Sequence, residues 1–306
     1  MIRLVDIFLN NLLPIFLCAG AGFALGRAFT PDLKTVTRLS FYIFGPCLVF
    51  TSLTKAEVTG GEFVQLALYT VLAIGSMMAL AALAGFTLRA ERRALVTLII
   101  ASVFVNGGNY GLAATQFAFG DAALARAVVF FVFSTLTLYT AGVFIASLGQ
   151  QRVGQALRQI FAVPAFYALI AAGLVRSTGW PLPTLLDRSV TLLGEASIPL
   201  MLVILGLQIA QTRAWPKTSV TLIGVAVALQ LIVAPLVALG LAYALGLTGA
   251  ARQAVVLQTS MPTAVVTTIL ALQYDLDAEL MTGAVILSTL LSPLTLTPLI
   301  AYLQSR

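Results

Sequence analysis

The sequence predicts an all-α integral membrane protein: ten transmembrane helices in two inverted five-helix repeats, with the fourth and ninth helices broken. Three observations predict it. The 306 residues are 60% hydrophobic and 9% charged, with a mean hydropathy of +1.02. A soluble domain carries about 25% charged residues, so no water-facing surface can be built from this inventory. The apolar residues also fall in runs long enough to cross a bilayer. Finally, one run in each half is interrupted by polar and flexible residues at matching places.

The runs cover about 5–27, 36–54, 63–88, 94–119, 122–147, 156–176, 186–211, 218–246, 251–274 and 278–303. Each is apolar all round, and their length reads as helix because a helix bonds its own backbone groups in lipid. The short alternating strands of a membrane barrel do not fit. Turn residues separate the runs: Thr30-Pro31-Asp32, Thr59-Gly60-Gly61, Gly120-Asp121, Gly179-Trp180-Pro181, Trp215-Pro216 and Tyr274-Asp275-Leu276-Asp277. The run from Ile7 to Phe29 lacks a cationic lead and precedes further spans, so it reads as a span, not a signal peptide. The central loop around Gly149-Gln150-Gln151-Arg152 is polar but short.

The halves, 1–150 and 151–306, read as a duplicated unit. Pro14 and Pro164 lie 150 positions apart, as do Pro31 and Pro181. Gly45-Pro46 interrupts the second span and Ser197-Ile198-Pro199 the seventh. Arg93 and Arg252 each precede a broken span, and an acidic turn (Asp121; Asp275 and Asp277) follows each. Five spans per unit is odd, so the second copy enters from the opposite face, which gives inverted repeats.

Basic residues set the orientation. Loops after odd-numbered spans hold Arg27, Lys34, Arg38, Arg89, Arg92, Arg93, Arg152, Arg158, Arg213 and Lys217. The other face holds Arg3, Lys55, Arg126, Arg176, Arg188, Arg252 and Arg306. Ten against seven places the first set in the cytoplasm and both termini outside. The net charge of +6 therefore reads as an orientation signal rather than a nucleic-acid patch.

The sequence has no histidine, which excludes His-based catalysis, His metal ligation and a His proton relay. Cys18 and Cys47 read as small packing residues inside spans. No enzyme, cofactor or metal is expected.

The first break is Val105-Asn106-Gly107-Gly108-Asn109-Tyr110-Gly111. Glycine costs about 1 kcal/mol relative to alanine in a helix interior, and two asparagines add polar groups at membrane depth. One reading is an unwound helix whose backbone and amides bind a polar solute, with the half-helix beginning near Tyr110 turning its positive end to an anion. The other is a glycine-mediated helix contact. The second break is Gln258-Thr259-Ser260-Met261-Pro262-Thr263. Pro262 removes a donor and frees an upstream carbonyl, which the neighbouring polar side chains are placed to use. Paired breaks of this kind point to the substrate site of a secondary transporter.

Glu195 is the one acidic residue deep within an expected span. Such a residue costs roughly 2.5–3.5 kcal/mol at mid-membrane, which makes it a candidate coupling group; a structural hydrogen bond or a place nearer a helix end accounts for it equally well. Asp6 and Arg126 lie close to span ends. Phe41, Tyr42, Tyr69 and Tyr139 read as packing aromatics.

These residues carry a resemblance. Asn106-x-Gly108-x-x-Gly111-Leu112 resembles the crossover of the auxin efflux carrier family, within the bile acid and auxin transporter superfamily. Met261-Pro262-Thr263-Ala264, with Ala271 and Tyr274-Asp275, resembles its ninth span, and Ser288-Thr289-Leu290-Leu291-Ser292 with Pro298 its last. The resemblance implies a scaffold of spans one, two, six and seven that often forms a dimer, and a transport bundle of spans three to five and eight to ten. It implies an elevator-like shift of that bundle, with Asn106 near a substrate carboxylate. Implied substrates are small organic anions such as auxin or malonate. The short central loop is similar to that of bacterial members, which implies the cytoplasmic membrane.

The chain departs from the pattern twice. Ala113 stands where a proline is usual, so the first break is expected to be gentler. Span three carries only Gln65, Tyr69, Thr70 and Ser76 as polar groups, with no acidic counterpart to the family's supporting site. Movement driven by the anion's own charge, worth about 2.3 kcal/mol per charge per 100 mV, fits that departure. The alternatives are a sodium-coupled carrier of the bile-acid type, with Gln116, Gln258, Thr259 and Ser260 as oxygen ligands, and a membrane sensor that binds without flux.

Overall fold

Backbone amides in hydrocarbon must be bonded within the protein, and the chain meets that demand with helices. A computed structural model describes residues 2–147, 158–211 and 220–305. Among the described residues, seven helices are long and apolar enough to cross a membrane: α1 (Arg3–Ala28), α2 (Leu33–Lys55), α3 (Gly60–Thr87), α5 (Gly107–Ala146), α7 (Thr184–Ala210), α8 (Val220–Ala244) and α11 (Ala278–Gln304). Four shorter ones complete the set: α4 (Arg92–Val103), α6 (Pro164–Thr178), α9 (Gly249–Thr259) and α10 (Val266–Gln273). Among the described residues the only extended pairing is one isolated antiparallel bridge, Val105 with Thr263.

Most expected turns stop or start a helix by a definite bond. Asp32 accepts from the Lys34 amide at 3.1 Å, Thr59 from Glu62 at 3.2 Å and Asp277 from Leu280 at 2.9 Å. Each side-chain oxygen satisfies an amide that the first helical turn leaves open. Gly179 ends α6 in the left-handed region at φ 64°. Gly120, at φ 76° and ψ −172°, leaves the helical region and divides α5 into two helical stretches, at the place where the sequence sets the Gly120-Asp121 turn between the fourth and fifth spans. The expected sixth span starts later than read, because Val163 is extended and Pro164 opens α6. The central loop, with Arg152, and the Arg213, Trp215-Pro216, Lys217 and Arg306 positions lie outside the described residues.

Three prolines are accommodated without breaking their helices. Pro14, Pro46 and Pro235 each follow a π turn, at Phe8–Leu12, Ser40–Phe44 and Leu229–Val233. A proline lacks its own amide and crowds the carbonyl four residues back; widening the turn before it relieves both. Gly45-Pro46 is thus a bulge, not the expected interruption. At Ser197-Ile198-Pro199 the helix does pause, at Ala196 (φ −72°, ψ −13°).

Helices α1 and α7 approach through glycine. A Cβ on Gly206 would overlap the carbonyl of Ala19, and one on Gly22 the carbonyl of Val203. Such small-residue contacts let membrane helices pack closely. Arg93 and Asp275, 2.7 Å apart, tie the α3–α4 and α10–α11 connections together. On α5, Arg126 forms a two-pronged pair with Glu62 of α3, at 2.5 and 3.0 Å.

Candidate functional site

Helix α4 stops at Val103, and Phe104 (φ −93°, ψ 106°) and Asn106 (φ −75°, ψ 55°) leave the helical region. Helix α5 then begins with a π turn at Gly107–Leu112. The second interruption runs from Ser260 to Val265, between α9 and α10. The two segments meet. The Asn106 amide donates to the Pro262 carbonyl at 2.7 Å, and the Ala264 amide to the Phe104 carbonyl at 2.9 Å, with Val105 and Thr263 opposite each other between them.

The remaining polar groups can be accounted for one by one. The Thr263 hydroxyl donates to the Ala101 carbonyl at 2.7 Å, a carbonyl freed where α4 ends. The Thr263 amide donates to Ser288 Oγ at 3.1 Å. Gln230 of α8 sends Nε2 to the carbonyls of Met261 (2.7 Å) and Thr259 (3.3 Å), capping the end of α9. The Asn106 carbonyl receives the amides of Gly111 (2.9 Å) and Tyr110 (3.3 Å). Its side chain is left over: Nδ2 is buried without a partner, on a residue only 4% exposed.

Asn106 lines a cavity of about 170 Å³, together with Gly107, Gly108 and Asn109. The opposite wall is built by Thr37, Ser40 and Pro46 of α2 and by Met201, Ile204 and Gln208 of α7. Phe131, Ser134, Thr135 and Tyr139 of α5 and Val265, Val266 and Ile269 close the rest. At about 30 Å³ per water, the space suits a small solute. Helices α5 and α10 both begin here, so two positive helix ends face the cavity, and the lining has no charged side chain. The arrangement offers amide donors and helix dipoles to an anion, without a counter-charge. Asn109 Nδ2 reaches across to Gln208 Oε1 at 3.4 Å.

Of the residues the sequence singles out, Asn106, Gly107, Gly108 and Asn109 line this cavity. Tyr110, Gly111, Gln258, Thr259, Ser260, Met261, Pro262 and Thr263 stand outside its lining. Tyr110 is fully buried, its hydroxyl receiving Ser292 Oγ at 3.2 Å and its ring edge-on to Phe16. Gln258 is buried against Gly107 and Gly111, with Nε2 donating to Thr115 Oγ1 at 3.4 Å. Ser260 donates back to Val256 at 2.7 Å.

Three expectations change. The break lies at Phe104–Asn106, upstream of the glycines, and the half-helix starts at Gly107 rather than near Tyr110. With Ala113 in place of proline, the break is still complete, because the cross-pairing with Pro262–Ala264 holds it open. The glycines serve close approach, not unwinding. A Cβ on Gly107 or Gly111 would lie 2.8 or 2.6 Å from Gln258 Oε1, and one on Gly108 would lie 2.8 Å from the Phe131 ring.

Glu195 sits apart from the break. It is exposed at the pause in α7 and lines a larger cavity, about 830 Å³, with Lys55, Glu57, Gln116, Asp121 and Arg126. Sequence reasoning missed Gln208 and Gln230. Both are uncharged polar groups inside apolar runs, which is the signal in the sequence that marks them.

The profile of a family described as membrane transport protein matches residues 7–300. An uncharacterised transporter of Methanothermobacter thermautotrophicus is 28% identical over 278 residues, covering 89% of each chain. One from Methanocaldococcus jannaschii is 27% identical over 275 residues, covering 86% of this chain and 87% of its own. Auxin efflux carrier component 8 of Arabidopsis thaliana is 26% identical over 148 residues, 46% of this chain and 40% of its own. A profile spanning nearly the whole chain, on a helical fold with two paired breaks, leaves one conclusion: the chain belongs to the membrane transport protein family, that of the auxin efflux carriers.

Proposed function

We propose that the protein carries small organic anions across a membrane by alternating access around the two paired breaks. The observation that carries this reading is Asn106, whose Nδ2 is buried without a partner on a residue that lines a small cavity onto which two positive helix ends converge. A buried donor without an acceptor costs about 1–3 kcal/mol, and a bound carboxylate removes that penalty. The Arabidopsis relative, by its name a carrier of the carboxylic acid auxin, supports the substrate class.

In this reading the chain forms ten spans, two inverted fives over residues 1–150 and 151–306. Helices α1, α2, α6 and α7 act as scaffold and dimer contact, and the remaining helices as the moving bundle. The two cavities support the division. Both lie between α2 and α7 on one wall and α5 on the other; the smaller is lined from Thr37 and the larger from Lys55, at opposite ends of α2. A bundle sliding along that wall would carry Asn106 from one towards the other, in an elevator-like step. The membrane is the bacterial cytoplasmic one, with both termini outside.

The test is flux of radiolabelled malonate into proteoliposomes, with malate, succinate and an indole acid as competitors, under imposed pH, sodium and potential gradients. Saturable flux that competitors inhibit is expected. Absence of flux for every acid under every gradient would remove the substrate class.

A further inference from the structure

The Asn106 cavity has a neighbour. A second cavity, of about 360 Å³, is lined by Thr37, Arg38, Phe41 and Tyr42 of α2, Tyr139 of α5 and the turn ahead of α6. Thr37, Phe41 and Tyr139 stand in the linings of both, so the two spaces share a wall. Their order along α2 gives their depth. Arg38 lies five residues from Leu33, where α2 begins, or about 8 Å along the helix. The Asn106 cavity continues inward to Gly45 and Pro46. The Arg38 cavity is therefore the outer of the two.

Arg38 gives the outer cavity a charge that the inner one lacks. Other arginines are committed: Arg93 and Arg126 each hold a carboxylate, and Arg176 holds the Leu53 and Val58 carbonyls. Arg38 is exposed, and among the described residues no ion pair or hydrogen bond engages its guanidinium. Beside it, the Phe41 ring packs edge-on to Tyr42 with centroids 5.1 Å apart, and against Tyr139 at 5.8 Å. An uncommitted guanidinium can take a carboxylate through two parallel bonds, while three rings offer an apolar surface to the carbon skeleton behind it. The cavity at the Lys55 end of α2 differs, because Glu57, Asp121 and Glu195 line it. An organic anion meets three carboxylates there and none in the described lining at the Arg38 end.

We infer that the outer cavity is a capture site for organic carboxylates, with Arg38 as its cation and Phe41, Tyr42 and Tyr139 as its apolar floor. It gathers the anion from water and passes it across the shared wall to Asn106. An exposed charge pair is weak and screened by salt, so the site loads the inner cavity without storing the anion or moving the melting temperature. The loading role rests on the anion reading above; the binding of a carboxylate at Arg38 does not.

The experiment labels purified full-length protein carrying Cys18→Ser, Cys47→Ser and Tyr42→Cys, with Asn106→Ala to silence the inner cavity. Modification rates are measured with an anionic sulfonate and a cationic trimethylammonium methanethiosulfonate, each relative to a free thiol. At low salt the anionic reagent should be favoured by roughly ten-fold. The preference should fade towards 1 M salt, where the screening length is about 3 Å. Arg38→Gln should lose it and Arg38→Lys should keep it. Indole acetate should slow the anionic reagent saturably, beyond the effect of chloride at equal ionic strength, and not in Arg38→Gln. Equal preference in the presence and absence of Arg38 overturns the inference, and so does a lack of protection by indole acetate. In vesicles, Arg38→Gln should raise the KM for uptake through this face by roughly three- to ten-fold at low salt, with a smaller effect on the maximal rate. An unchanged KM would overturn the loading role. Protection that depends on Arg38, in a protein that carries no acid, would sink the carrier reading and leave this site standing. Saturable flux without such protection would do the reverse.

Discussion

The two breaks look alike in sequence and differ in what they leave open. At the second, the groups that hold the crossing together are bonded, while Gln258 Oε1 is buried without a partner. Gln230 takes the Thr259 and Met261 carbonyls, Asn106 the Pro262 carbonyl, Ser288 the Thr263 amide, and the Thr263 hydroxyl is spent on Ala101. At the first, the Asn106 backbone is bonded on both sides, but its side chain belongs to a residue lining the cavity and its Nδ2 has no partner. A buried polar group is tolerated when a partner arrives at some stage of the working cycle. On the proposed reading, one break is a clamp and the other a hand.

The difference predicts opposite phenotypes. Asn106→Ala, on the open side, should cut anion flux by ten- to a hundred-fold, about the worth of a hydrogen bond to a charged group, with melting unchanged. Gln230→Leu, on the clamp, should act first on stability, because it strips the donor from two buried carbonyls. A loss of about 1–3 kcal/mol per stranded group is expected, read as a lower melting temperature. Thr263→Val strands the Ala101 carbonyl alone and should cost about half as much on the same scale. If Thr263→Val lost flux but kept parental melting, the division of roles would be wrong.

Two smaller effects sharpen the comparison. Gly108→Ala sets a methyl against the Phe131 ring at the edge of the cavity. Overpacking costs about 1–3 kcal/mol where neighbours cannot move, but a ring edge can shift, so the low end is expected, together with weaker binding. Arg93→Ala removes an ion pair whose side chains are 63% and 81% exposed. Such pairs contribute about 0–1 kcal/mol, and neither flux nor melting should change measurably.

Much of this was legible in the chain. Span lengths follow from the bilayer, so the edges of α1, α3 and α11 fall within a few residues of the apolar runs. Thr59 and Asp277, read as turn residues, are the caps of α3 and α11. Asn106 and Pro262 mark the breaks because unwound backbone at membrane depth needs polar, flexible residues. What could not be read depends on partners distant in sequence. The break sits upstream of its glycines because Phe104 and Asn106 pair with Pro262 and Ala264, more than 150 positions away. Gly107 and Gly111 look like unwinding residues until Gln258 is found against them. The π turns before Pro14, Pro46 and Pro235 could be read only by asking how a helix passes a proline without breaking.

The most direct test of the central claim is thermal stabilisation by malonate of the purified parent and of Asn106→Ala, measured side by side. The account predicts a saturable rise in melting temperature for the parent, absent from a variant that melts like the parent when no ligand is present. An equal rise in both proteins would contradict it, and would place the carboxylate somewhere other than the Asn106 amide.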